Sequence, residues 1–200
     1  MGVYKLSASG GLKTARTGFS SMMAGNTVYD VGSMVPIATT PLSNAVVFAF
    51  GNIPQTYQDL FIVVTGVMNT TSDMGIDDIN NLPNGGIYLS RTILGANGSS
   101  SFSERGSNTA NALIIATGNT TLVGNANSFI VHIPNYTNST TFKTVLARKA
   151  SDNNGSGNTS IVVGTMQTTS PITYFKFSSQ NPACYFTTGT ATLYGIKAAA

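Results

Sequence analysis

Nowhere between its turn signals does this chain sustain a helical apolar repeat for ten residues. What recurs is a short apolar or alternating run followed by a cluster of Asn, Gly, Ser, Thr or Pro, at spacings of about a dozen residues. Such runs are read as strands at 46–50, 59–65, 87–94, 112–117, 128–133, 141–148, 160–165, 172–177, 183–186 and 190–196. Leu60 to Val64 is uninterrupted apolar sequence, as expected of a central strand buried on both faces. Thr190 to Tyr194 alternates small polar with apolar residues, as expected of a half-buried strand. Within 141–148 the apolar members are Phe142, Val145 and Leu146. Two longer intervals read as loops: 69–86 is acidic and Asn-rich, and 95–108 is rich in Gly and Ser. Roughly nine or ten strands without intervening helices predict an all-β, antiparallel β-sandwich, jelly-roll-like if eight core strands divide between two sheets.

The composition points the same way. Charged residues make up 8% of the chain, against about 25% in ordinary soluble domains. Glu104 is the single glutamate. Helix surfaces are furnished with Glu, Lys, Gln and Arg, whereas Thr, Val, Ile, Tyr and Phe suit a pleated sheet. At 200 residues the chain accommodates one sandwich and an appended segment. The division expected is an N-terminal extended arm and connector over 1–40, and the sandwich over 41–200. Ser9 to Asn26 carries no clean period. Its irregularly placed apolar residues Leu12, Phe19, Met22 and Met23, together with basic Lys13 and Arg16, are the candidate partner-docking residues. They suit an arm lying on a partner or, over 19–23, a short helix covering the end of the domain. Pro36 and Pro41 punctuate the connector.

The inventory for chemistry is thin. His132, the one histidine, lies in Phe129-Ile130-Val131-His132-Ile133 on the face opposite Val131 and Ile133, and reads as a hydrogen-bonded structural residue. Cys184, the one cysteine, excludes an internal disulfide and reads as a buried, inert thiol. One His and one Cys cannot furnish a zinc site, and no Gly-x-Ser-x-Gly elbow, Walker loop or dinucleotide fingerprint is present. Two of Asp73, Asp77 and Asp78 could hold a hard cation with backbone carbonyls. A solvated acidic loop is the simpler reading. No catalytic residue, cofactor or metal ligand is therefore assigned, and an enzyme is not expected. Net charge is +3, and the nearest approach to a basic cluster is Arg148-Lys149, which falls short of a nucleic-acid surface. No apolar run is long enough to span a bilayer, and Met1 to Leu6 lacks the apolar core of a secretory signal.

Several short frames occur in order: Ile53-Pro54-Gln55-Thr56-Tyr57 entering an apolar strand, Pro134-Asn135-Tyr136 followed by Thr141-Phe142-Lys143, Pro171-Ile172-Thr173-Tyr174, and Leu193-Tyr194-Gly195-Ile196. Together with the opening Val3-Tyr4-Lys5-Leu6 and Met22-Met23-Ala24-Gly25-Asn26, they resemble a group of tailed-bacteriophage virion proteins common among marine and cyanobacterial phages. The chain departs from that pattern at Gly164-Thr165-Met166-Gln167, where members often carry a tryptophan. The resemblance implies a non-enzymatic virion structural protein of the tail, neck or fibre apparatus. It would dock on other virion proteins through its arm and assemble as a homo-oligomer, trimers being frequent. Two other readings are a capsid decoration or cement protein binding between capsomers, and a carbohydrate-binding sandwich with a host-surface glycan as partner.

Overall fold

The computed structural model describes residues 21–24, 27–30, 34–83, 88–97, 100–107, 113–116, 124, 126–151 and 158–197. They form fifteen strands and, among the described residues, no helix. Eight strands build one large antiparallel sheet. They are β3 (Met34–Pro41), β5 (Asp59–Met68), β8 (Tyr88–Asn97), β9 (Ser100–Ser107), β11 (Ala126–Ile133), β12 (Lys143–Ser151), β13 (Asn158–Met166) and β15 (Phe186–Ile196). Their order across the sheet is β3-β15-β5-β11-β12-β13-β8-β9. A smaller sheet orders β10 (Leu113–Ala116), β6 (Met74–Ile79), β14 (Phe175–Ser179) and β4 (Val47–Phe50), with the two-residue β7 (Leu82–Pro83) beside β6. Strands β1 (Ser21–Ala24) and β2 (Thr27–Asp30) pair only with each other.

The two sheets pack because the period of two delivers apolar side chains to one side of each. Along β12 burial alternates at every residue, and β5 and β11 follow the same rhythm. Leu60, Ile62 and Val64 of β5 meet Phe129 and Val131 of β11, Val145 and Ala147 of β12 and Val162 of β13 in one buried cluster. The small sheet answers with aromatic rings. Phe48 stacks on Phe177 at 4.8 Å between centroids, and Phe175 stands edge-on to both Phe50 and Phe177. Phe186 reaches across from the large sheet to Phe48. The expected antiparallel β-sandwich is therefore the fold. Thirteen strands in two sheets exceed the eight of a jelly roll, and that finer expectation is not carried further.

Several local expectations change. The connector residues Met34–Pro41 are an edge strand hydrogen-bonded along β15, so the sheet begins ahead of residue 41. Residues 21–24 are strand, where a short helix over 19–23 was one of the two readings. The acidic interval 69–86 contains β6, a strand inside the small sheet. A bulge sets one residue fewer of β14 against it, between Lys176 and Phe177. The bulge breaks strict alternation, which is how Ile76 and Ile79 both enter the core while Asp77 and Asp78 between them stay half-buried. The Gly/Ser-rich interval 95–108 is largely the β8–β9 hairpin. Phe142, just ahead of β12, and Leu146 on β12 are exposed, because only Val145 of the three apolar members shares the inward parity with Lys143 and Lys149.

Candidate functional site

Of the six candidate docking residues, two fall among the described residues. Leu12, Lys13, Arg16 and Phe19 lie outside the described residues. Met22 and Met23 fall on β1, opposite Tyr29 and Val28 of β2. The three aspartates are divided. Asp73 precedes β6 and interacts electrostatically with Lys149, whereas Asp77 pairs with Lys176 at 3.3 Å. No group of three or more metal-ligating side chains occurs among the described residues. The Arg148-Lys149 pair is also split: Arg148 is on the outer face and Lys149 is buried on the inner one. Cys184 is buried in the segment leading into β15, and its thiol donates to the Thr70 carbonyl at 3.1 Å.

His132 is held by Asp59, whose Oδ2 lies 3.1 Å from His132 Nε2. The other carboxylate oxygen accepts from the backbone N–H of Asn135 at 3.0 Å, and the imidazole stacks on Phe61 with centroids 4.3 Å apart. This constellation ties β5, β11 and the turn after β11 together. Through its side chain His132 hydrogen-bonds to Asp59.

Two lysines occupy inward positions of β12. Lys143 Nζ donates to the carbonyls of Asn138, Thr141 and Thr169, acting as a three-way clasp on two loops. Burial lowers its pKa from the usual lysine range. For Lys149, burial lowers the pKa to about 7, against the opposing pull of Asp73.

The frames carrying the family resemblance converge in space. The Tyr136 hydroxyl donates to the Pro54 carbonyl, and burial raises its pKa. Gln55 Nε2 donates to Ile53 O and to Ile172 O, both at 2.9 Å. Ile172 N donates to Tyr136 O, Ile53 N to Thr173 O and Gln58 N to Ile196 O. The Tyr57 ring covers Gly195, where an added Cβ would collide with it. These residues form a lock at one end of the sandwich, with no reacting group among them.

The broadest unaccounted surface is the outer face of the large sheet. Register aligns Thr192, Val63, Ile130, Arg148, Ile161 and Leu94 in one row across six strands. The adjacent row runs Tyr194, Phe61, His132, Leu146 and Val163. Ile161 is 57% exposed, Leu94 56%, Val163 49% and Leu146 43%. Sequence alone does not mark these residues as exposed, because on β12 and β13 both faces carry apolar side chains. The two rows form a contiguous, partly exposed apolar patch, with Arg148 between Ile130 and Ile161. Comparison with protein-family models, curated proteins and solved structures returns no match for this chain.

Proposed function

We propose that the protein is a non-enzymatic structural component of a tailed-phage virion, placed in the tail, neck or fibre apparatus. The observation that carries this reading is the partly exposed apolar double row on the outer face of the large sheet, which suits contact with another virion protein. The resemblance of the interlocked frames supports it. A rigid two-sheet frame whose polar groups are spent on internal clasps suits a building block. The test is to purify virions of the phage that carries this sequence and measure the protein's copy number against the major capsid protein. A few copies localised at the tail by immunogold labelling support the proposal. Near-stoichiometric copy number would favour a capsid decoration protein, and absence from particles would refute both.

One observation favours a second reading. Tyr194 and Phe61 are direct neighbours on this outer face, with His132 stacked on Phe61, and half-exposed rings can stack on sugars. Binding on a glycan array that Tyr194→Ala abolishes would support a carbohydrate-binding module.

A further inference from the structure

We propose that β9 of one copy of this chain pairs antiparallel with β9 of a second copy, around a two-fold axis through Ser103, so that the two large sheets run on as one. This inference stands independently of the virion reading.

The large sheet has two edges, and they differ. β3 carries Pro36 and Pro41 and a register shift against β15. Leu42 N donates to Gly189 O, and bonding alternates along an antiparallel strand. The backbone of Pro41 therefore faces off the sheet, where it has no N–H to offer. Prolines and an irregular register are the usual means of blunting an edge. β9, Ser-Ser-Phe-Ser-Glu-Arg-Gly-Ser, has neither proline nor lysine and keeps an even register with β8. Among the described residues it pairs with β8 alone. Its free backbone groups follow from the hairpin. β8 ends at Asn97 and β9 begins at Ser100, its partner, so the closing pair is hydrogen-bonded. Counting by twos, Phe102, Glu104 and Gly106 bond to β8, and Ser101, Ser103, Arg105 and Ser107 present N–H and C=O outward. Carrying the alternation across the sheet from Leu42 and Gly189, strand by strand, gives the same set.

These outward groups select the partner and the register. An axis through Ser103 sets Ser103 against its mate and Ser101 against Arg105 of the other copy, so outward groups meet outward groups and each such pair exchanges two hydrogen bonds. Glu104 then stands opposite Phe102. Moving the axis to Glu104 or Arg105 puts like charges directly opposite one another. Moving it to Phe102 or Ser101 shortens the overlap at the hairpin turn. Phe102 is partly buried and packs against the core. Across the axis the two Phe102 residues are diagonal neighbours, about 7–8 Å apart and within reach of aromatic rings, so each covers the other. The two Glu104 residues take the other diagonal. Register places Arg91 diagonal to Glu104 within each chain, so each acid is offered a base of its own. Main-chain hydrogen bonds carry the contact, as in recognition by strand addition.

The experiment uses the full chain. Sedimentation velocity over a concentration series is expected to show a monomer–dimer equilibrium. Ser103→Cys is expected to form a disulfide-linked dimer in air, because hydrogen-bonded partners stand about 5.5 Å apart between Cα atoms, within reach of a disulfide. Ser101→Cys is the control. Its mate lies four residues along the paired strand, out of reach, so it should link at least about tenfold more slowly. Cys184 is buried and does not compete. Ser103→Pro removes an outward N–H from each copy and leaves the bonds to β8 in place. It should weaken dimerisation by roughly 30-fold. Circular dichroism and the urea midpoint monitor folding, and if Ser103→Pro disturbs the fold the two cysteine variants decide. A monomer at all concentrations, a trimer, equal linking rates at positions 103 and 101, or a dimer indifferent to a folded Ser103→Pro overturns the proposal.

Discussion

Lys149 gives the sharpest quantitative test of the core. Its ammonium sits on the inward side of β12, 4% exposed, and burial lowers its pKa to about 7 from 10.5. At about 1.36 kcal/mol per pH unit, the charged form is disfavoured in the folded protein by on the order of 5 kcal/mol. The direction of the pH dependence follows. Below pH 7 both folded and unfolded chains carry the proton. Above it the folded chain sheds the proton while the unfolded chain keeps it up to about 10.4, so stability rises with pH in this window. Lys149→Met keeps the volume of the side chain and removes the titration. The attraction to Asp73 acts only on the charged lysine and is already contained in the value of about 7. Lys143, also lowered by burial, contributes a rise that both proteins share. Between pH 6.5 and 9.5 the wild type should therefore gain about 3 kcal/mol relative to Lys149→Met. With a urea slope of about 2 kcal/mol per molar, the two midpoints should move relative to each other by about 1.5 M. Far-UV circular dichroism follows the unfolding, since the chain has no tryptophan. A midpoint difference that stays constant over this range, or that moves in the opposite direction, would refute the reasoning.

Lys143→Met should act with the opposite sign to Lys149→Met at low pH. It leaves the carbonyls of Asn138, Thr141 and Thr169 without their shared donor, and should cost about 2–4 kcal/mol by urea unfolding. Gly195→Ala pushes a methyl group into the Tyr57 ring and should cost about 1–3 kcal/mol, with Tyr57→Ala in the same chain recovering part of the strain in a double-mutant cycle. Deleting residues 1–30 removes β1 and β2, which pair only with each other, and should leave the unfolding midpoint of the sandwich unchanged. Extending the deletion through Pro41 strips the edge strand from β15 and should lower it measurably.

The strand content was legible because turn residues and apolar runs alternate at short spacing, and because almost nothing in the composition favours a helix. The misread segments share a physical cause. At β6 a bulge puts two aspartates side by side between core isoleucines, so Gly75-Ile76-Asp77-Asp78-Ile79 has no period to find. β9 consists mostly of Ser and Gly, which a propensity reading assigns to loops. On β12 polar and apolar residues share both faces: Lys143 and Lys149 point inward beside Val145 and Ala147, and Leu146 points outward beside Thr144 and Arg148. No local rule predicts that mixture. Each inward lysine depends on a distant segment, the Thr169 loop for one and Asp73 for the other.

The same distinction between local and distant separates what the short frames mean from what they seemed to offer. Ile53-Pro54, Pro134-Asn135-Tyr136, Pro171-Ile172-Thr173 and the closing Leu193-Tyr194-Gly195-Ile196 stand far apart in sequence, yet they hydrogen-bond and pack on one another. A set of residues bound to each other in this way is constrained as a unit by the fold. Tyr136 needs an acceptor for its buried hydroxyl, Gly195 must leave room for Tyr57, and Gln55 must bridge two loops. Their recurrence as a pattern is thus explained by closing one end of a sandwich, and it carries no information about a ligand. The exposed apolar side chains of the large sheet are ones that the lock does not use. Leu94, Leu146, Ile161 and Val163 satisfy no internal requirement that would keep them apolar on an exposed face. Replacing them with threonine would suit a solvated strand equally well. That they are apolar, aligned in register and centred on one arginine is the part of this chain that the fold alone does not account for.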